Sequence, residues 1–339
     1  MAAMPKVGVG LPVLGEHAGP DAIALVASAA DRLGFSCVST CDRLLLPLGS
    51  DWGNVYGLPD FWIYDVLESL TWVAARTERV KLVTGVLNTL FQPPIILARR
   101  LATLDHLSRG RVVAGIGLGW MPEELTATGV PPTGRGARFE EHLAAMRACW
   151  APNPVEYQGS SYTIPRSKVG PKPVNGSIPV LIGGVTKPAI ARAARLGDGA
   201  ILAFRDWDSF QEQLGWYREA GGTGPVVLRA GPMLADAQHV EPPTFWTPPV
   251  ILDDLARVAT LGVDEVIWDL NIVGMPPEQQ VTELERLARA LGLHALAGAQ
   301  AYIRLRSPEL APPLPPGSRR RVLVWLGVAL RLEYPPSRM

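Results

Sequence analysis

Five times along this chain a helix-like stretch runs into a small-residue stop, and a β-branched or apolar run follows within a few residues. The instances are Ala30–Cys41 (ADRLGFSCVSTC), Ala74–Val86, Leu104–Gly117, Ala193–Phe204 and Val258–Leu270. Leu33-Gly34, Leu196-Gly197 and Leu261-Gly262 have the form of left-handed helix C-caps, where a residue without Cβ ends a helix at little cost. Such alternation demands a parallel sheet, because parallel strands need a crossover long enough to hold a helix. In parallel folds of this kind, function sits at the C-terminal ends of the strands.

Eight runs read as strands: Val7–Leu11, Cys37–Thr40, Val80–Val86, Val112–Ile116, Val180–Ile182, Ala200–Ala203, Val226–Arg229 and Glu265–Trp268. Between them lie amphipathic stretches: Asp21–Leu33 with Asp21 as candidate N-cap, Phe61–Ala75, Pro93–Leu107, Arg138–Trp150, Pro188–Leu196, Ser209–Ala220, Pro249–Leu261 and Pro277–Leu291. Eight of each fit an α/β chain folded as one (β/α)8 TIM barrel better than a doubly wound sheet. The stretch 151–177 breaks the alternation with five prolines and two alternating runs around Gly159, which suggests an inserted hairpin. It either covers a ligand or packs on the barrel's flank. A second irregular stretch, 237–248, is a candidate lid. Residues 1–295 thus form the barrel domain. Residues 296–339 are a different kind of sequence, dense in Pro and Arg, and read as a disordered or accessory tail.

Bulk properties narrow the function. Lys and Arg total 32, as do Asp and Glu, so the formal net charge is zero and nothing argues for nucleic acid as a partner. No apolar run is long enough to span a bilayer, and residues 1–6 lack the succession of a signal peptide, so the expectation is a cytoplasmic protein with no membrane partner. Three cysteines without a close pair, and no clustered histidines, point to no metal and no disulfide framework. The expected partner is a small-molecule substrate.

Groups that could share one mouth follow the predicted strands. Asp42 and Arg43 come after the second, Asn88 after the third, and Trp120, Glu123 and Glu124 after the fourth. Gly115, Gly117 and Gly119 either free the backbone for a flat ligand or only relieve crowding at the rim. After the fifth strand, Gly183-Gly184-Val185 leads into a helix start at Lys187-Pro188, which is either an anion site made of backbone N–H groups or a plain glycine turn. Together these features suit a phosphorylated, planar cofactor.

Four stretches carry a more specific resemblance: LATLDHLSRGR (101–111), GLGWMPEE (117–124), GRGARFEE (134–141) and IPVLIGGVTKPAIARAARLGDGA (178–200). In order and spacing the chain resembles the bacterial luciferase-like monooxygenase superfamily, and within it the branch that uses the deazaflavin coenzyme F420. The resemblance implies a barrel with its flavin or deazaflavin across the C-terminal mouth, an oxidoreductase activity that transfers a hydride between F420 and a small organic substrate, and a homodimer. By position it implies cofactor contacts from Asp42, Gly85, Val86, Asn88, Trp120, Glu124, Gly183, Gly184 and Val185, with Gly85-Val86 as a cis peptide.

One departure matters. Related dehydrogenases carry His after the strand-two acid, where this chain has Arg43. Arg43 stays protonated, so it can orient an anion or stabilise an enolate but is no general base. The remaining catalytic candidates are Trp120, which borders ring and substrate, Glu123 or Glu124 as a proton exchanger unless both merely start the next helix, and the pair Glu16 and His17 in the first loop. Two other functions stay open: an FMN-dependent monooxygenase of a two-component system, and a non-catalytic flavin-binding protein.

Overall fold

The computed structural model describes residues 4–48, 63–230, 251–271 and 274–293. By its internal contacts the chain separates into two units, 1–296 and 297–339. The second unit, and with it the tail expected at 296–339, lies outside the described residues, as does the candidate lid 237–248.

In chain order the elements are β1 (Lys6–Gly10), α1 (Pro20–Leu33), β2 (Cys37–Thr40), α2 (Val66–Ala74), β3 (Lys81–Thr84), β4 (Leu87–Asn88), a 3-10 turn (Thr89–Phe91), α3 (Pro94–Leu107), β5 (Val112–Gly117), α4 (Pro122–Ala127) and α5 (Arg135–Trp150). There follow β6 (Val155–Gln158), β7 (Thr163–Ser167), β8 (Val180–Gly183), α6 (Lys187–Leu196), β9 (Gly199–Ala203), α7 (Trp207–Glu219), β10 (Val226–Ala230), α8 (Ile251–Thr260), β11 (Glu265–Trp268) and α9 (Pro277–Ala290). The strands run β3-β2-β1-β11-β10-β9-β8-β5, and a further pairing of β3 with β5 closes the ring. All these pairings are parallel. The result is a closed eight-stranded parallel barrel with flanking helices, a (β/α)8 barrel. All eight expected strands are present.

Helix ends depart from expectation in instructive ways. Gly34 and Gly262 take positive φ (88° and 71°), as a left-handed cap requires. Gly197 does not: its φ is −81°, and it is glycine because a Cβ would lie 2.6 Å from the Gly199 carbonyl oxygen. Asp21 is not the cap of α1; Gly19 holds that position and Asp21 sits in the first turn, where its charge suits the helix dipole. Asp65 stops α2 from reaching back to residue 61, because its carboxylate accepts from the N–H groups of Leu67 (2.8 Å) and Glu68 (3.3 Å).

The inserted segment forms the expected antiparallel hairpin, β6 with β7. It packs on the flank, against α5, where Val155 and Ile164 are buried and Tyr162 meets His142 edge to face at 5.4 Å. Between the two placements open from sequence, the flank is the one observed.

Candidate active site

The barrel interior is filled in layers. Its lower layer is apolar: Cys37, Val83, Leu181, Ile201, Val227 and Ile267 form one buried cluster. Two residues further along each strand the same face carries small groups, Gly10, Ser39, Gly85, Gly183 and Ala203, together with Arg229 and Asp269. The Arg229 guanidinium donates through Nη2 to Asp269 Oδ2 at 3.1 Å and through Nη1 to the Gly85 carbonyl oxygen. Asp269 occupies the space a side chain on residue 10 would need, since a Cβ there would lie 2.3 Å from its Cγ. The Gly85–Val86 peptide is cis. Val86 is seated between two strand ends, because a Cβ on Gly117 would come within 2.9 Å of it and one on Gly183 within 2.7 Å. These glycines therefore make room for Val86.

Above this layer opens a cavity of about 820 Å³ at the C-terminal mouth, within the range of small-molecule sites. Asp42, Arg43, Gly85, Val86, Asn88 and Trp120 line one side. Asp42 accepts from the Asn88 N–H at 2.8 Å through one oxygen. Burial pushes its carboxyl up to about 6, with the charges of Glu124 and Asp65 adding, against the Asn88 N–H and Arg43. Arg43 lies over the Trp120 ring, 4.8 Å from its centroid, and pairs with Glu124 at 3.4 Å. Glu124 is fully buried, and its paired oxygen also accepts from the Leu44 N–H at 2.8 Å. Its second oxygen has no partner among the described residues.

The other side of the cavity is the β8–α6 junction. Gly183, Gly184, Val185 and Thr186 line it, and α6 starts after Thr186 without a side-chain cap, so its first N–H groups are available to an anion. Arg135 and Arg192 stand beside this end, and Arg205 near the start of α7. Among the described lining residues five arginines face two carboxylates, Asp42 and Glu212. Four of these arginines have an acidic partner outside the lining: Glu124 for Arg43, Glu140 for Arg192, Asp206 for Arg205 and Asp269 for Arg229. The cations thus face the cavity with their counter-charges set behind them.

The residues singled out from sequence fall into two groups. Asp42, Arg43, Gly85, Val86, Asn88, Trp120, Gly183, Gly184 and Val185 come together around the cavity. Glu124 lies behind Arg43 and outside the lining. Glu123 sits exposed in the first turn of α4, so the expectation that it exchanges protons with a bound substrate gives way to its role as a helix start. Glu16 and His17 pair with each other at 3.4 Å in the β1–α1 loop but do not reach the described lining. Sequence reading missed Arg229, Arg135, Arg192 and Trp216, which also line it. For Arg229 the sequence offers one signal, a charged residue at the end of an otherwise apolar strand. Among the described residues no group of three or more His, Cys, Asp or Glu could hold a metal ion.

A closed parallel barrel with an arginine-lined cavity at its mouth can hold a negatively charged small molecule. The chain belongs to the luciferase-like monooxygenase family, whose model matches residues 6–234. It is 38% identical over 232 residues to an uncharacterized protein of Mycobacterium tuberculosis, covering 66% of this chain and 74% of that one. It is 32% identical over 210 residues to an F420-dependent glucose-6-phosphate dehydrogenase of Nocardia farcinica, covering 58% of this chain and 57% of the relative. Among solved structures it resembles the coenzyme F420-dependent tetrahydromethanopterin reductase of Methanopyrus kandleri (TM-score 0.67, 18% identity, 86% of this chain and 100% of that one). It also resembles the oxygenating constituent of 3,6-diketocamphane monooxygenase of Pseudomonas putida in complex with FMN (TM-score 0.68, 15% identity, 87% and 99%). At such identities the structural likenesses establish the fold. Homologues and neighbours in this family use F420 or FMN.

Proposed function

We propose that this protein is an F420-dependent oxidoreductase that transfers a hydride between the deazaflavin and a small organic substrate. The observation that carries this reading is the charge pattern of the mouth: five arginines line it in a chain of zero formal net charge, and a helix start with free amides stands at one end. That donor set suits a phosphate-bearing cofactor. The F420-dependent relatives at 30–32% identity favour the deazaflavin over FMN. Gly183, Gly184 and Val185 would hold the phosphate through backbone N–H groups. Asp42, Gly85, Val86, Asn88 and Trp120 would border the ring. F420, when bound, supplies the hydride chemistry, and the protein supplies orientation, exclusion of water and charge.

Proton exchange falls to Asp42, which lines the cavity and whose carboxyl burial pushes up to about 6. Arg43, fixed by Glu124 and Trp120, holds a substrate oxygen that gains negative charge during the reaction. With Arg43 at the position where dehydrogenases of the branch carry His, a sugar phosphate is a poor fit as substrate, and reduction of an activated alkene or imine fits better. The full-length protein is titrated with F420 and with FMN, followed by single-turnover assays. Selective F420 binding with hydride transfer to an activated alkene or imine is expected, and selective FMN binding with oxygen consumption overturns the reading. We also take the protein to be a homodimer, which light scattering after gel filtration checks.

A further inference from the structure

We propose that Glu124 is a positioning residue that keeps Asp42 and Arg43 from pairing with each other, so that the cavity holds an acid and a cation side by side. This rests on the reading above that Asp42 exchanges the proton and Arg43 holds the substrate oxygen.

Two neighbouring side chains turn apart here. Asp42 and Arg43 are adjacent, opposite in charge and both part of the cavity lining, yet no ion pair joins them. Asp42 turns to β4 and accepts from the Asn88 N–H at 2.8 Å. Arg43 turns to the segment 120–124: its Nη1 lies 3.4 Å from Glu124 Oε1 and 3.9 Å from Met121 Sδ, and its guanidinium stands over the Trp120 ring, 4.8 Å from the centroid. The same Glu124 oxygen accepts from the Leu44 N–H at 2.8 Å, so the carboxylate clasps residue 43 by its side chain and residue 44 by its backbone. Glu124 itself is fully buried and outside the described lining. The groups that face Asp42 are Glu124 from α4, Asp65 from the start of α2, the Asn88 N–H from β4 and Arg43 beside it. Burial acts on its carboxyl most, then Asn88, Glu124 and Asp65, and Arg43 least, although Arg43 is the nearest of these groups in sequence.

Stability gives no reason for a carboxylate at this place. Oε2 of Glu124 has no partner among the described residues, and burying a charged group with part of its hydrogen-bonding capacity unmet is unfavourable. Separation of charge does give a reason. Opposite charges within reach of each other in a poorly solvated site attract strongly. An Arg43 that turned to Asp42 would hold the acid ionised and neutralise its own charge there, leaving neither a proton to give nor a cation for a substrate oxygen. Glu124 takes Arg43 from behind instead, and the arginine still lines the cavity.

The experiment is a pH titration of the full-length protein without cofactor, followed by difference infrared spectroscopy in the protonated-carboxyl band that Asp42→Asn removes. The quantity read is the midpoint of that band, about 6 in the parent. Glu124→Gln is expected to lower the midpoint by about half a pH unit or more, because Asp42 loses the Glu124 charge and gains Arg43. In an Arg43→Met background the same substitution should lower it by less than half as much, because only the Glu124 charge is then lost. A purely structural role for Glu124 in joining the Leu44 backbone to α4 would act alike with and without Arg43. A smaller fall with Arg43 present, or a fall at least half as large without it, overturns the proposal. If Glu124→Gln or the Arg43→Met background does not fold, Glu124→Asp decides alone, since it keeps the charge but is one methylene short of reaching both Leu44 and Arg43. A fall of about half a unit or more then upholds the proposal, and anything less overturns it. Should the parent transfer no hydride between F420 and any substrate while the midpoints move as expected, the reading of the activity fails and the separation of the two charges stands. Hydride transfer with midpoints that do not move removes only the inference.

Discussion

Asp42 and Arg43 are adjacent in sequence and opposite in what proton chemistry they allow. A guanidinium is no general base near neutral pH, whereas burial first, and the charge of Glu124 second, hold Asp42 at about 6. A general acid must be protonated, so the rate of substrate reduction is expected to fall as pH rises through about 6 and the rate of oxidation to rise through it. Asp42→Asn should flatten that limb of the pH–kcat profile and lower kcat by about 10²–10⁴-fold. A parent and variant with parallel profiles would assign the proton to another group. Stability moves in the opposite sense. The folded state binds the Asp42 proton more tightly than the unfolded chain does, so this residue costs nothing below pH 4 and increasingly destabilises the fold as pH rises through about 6. Denaturant titration at pH 7.5 should accordingly find Asp42→Asn more stable than the parent, by roughly 1–3 kcal/mol. From sequence, the position of Asp42 was legible from its place after a strand, but its protonation was not. That property depends first on burial and then on Glu124 and Asp65, all of which are brought about only by the fold.

At the scale of elements, the two ends of the barrel divide the work. At the N-terminal end, Arg111 ties three elements together: it donates to the carbonyls of Ala74 (3.1 Å) and Thr77 (2.9 Å) at the end of α2, of Val80 (2.9 Å) before β3, and of Ser108 (2.7 Å) after α3. It lies within one of the stretches that carried the family resemblance, so part of that signal records architecture and not chemistry. Arg111→Met strands several carbonyls at once and should destabilise the protein by roughly 3 kcal/mol while leaving cofactor affinity unchanged where the protein is folded. At the other end, a Cβ on Gly184 would lie 2.5 Å from that of Ala189, so Gly184→Ala must part β8 from the first turn of α6. Its expected signature is the reverse: tenfold or greater loss of cofactor affinity with a smaller loss of stability. Melting curves and binding isotherms on the two variants test the division, and equal losses from both would contradict it. Legibility followed the length of the element. Apolar runs flag every barrel strand, but the six-residue α4 is too short for a helical period to show which side of it faces inward, so the sequence does not reveal that Glu124 lies behind Arg43. The inward parity that would have exposed Arg229 and Asp269 requires knowing which face of each strand is the interior. Only closure of the ring settles that.

Closure is the property of the whole molecule. β1 pairs with β11 in register from Lys6↔Glu265 to Val9↔Trp268, and α9 packs on α1, where Arg32 meets Glu285 at 2.9 Å. The first and last strands of the barrel are thus neighbours, and every pairing that joins them, together with every residue of the described cavity lining, lies within residues 1–296. The two parts of the chain also differ in composition: residues 301–339 hold seven of the 27 arginines and only two of the 32 acidic residues. A barrel closed by its own termini needs no further chain for its cooperativity. Deleting residues 297–339 should therefore leave a single unfolding transition whose denaturant midpoint lies within about 0.2 M of the parent's, with an unchanged slope. Affinity for F420 should stay within threefold as well, because the described residues of the cradle at β8–α6 and of the Asp42–Arg43 wall all lie within residues 1–296. A tenfold loss of affinity at unchanged midpoint would make the arginine-rich segment part of the binding site, where its charge would extend the cationic lining of the mouth. A lowered midpoint with a lowered slope would instead make it part of the folded core.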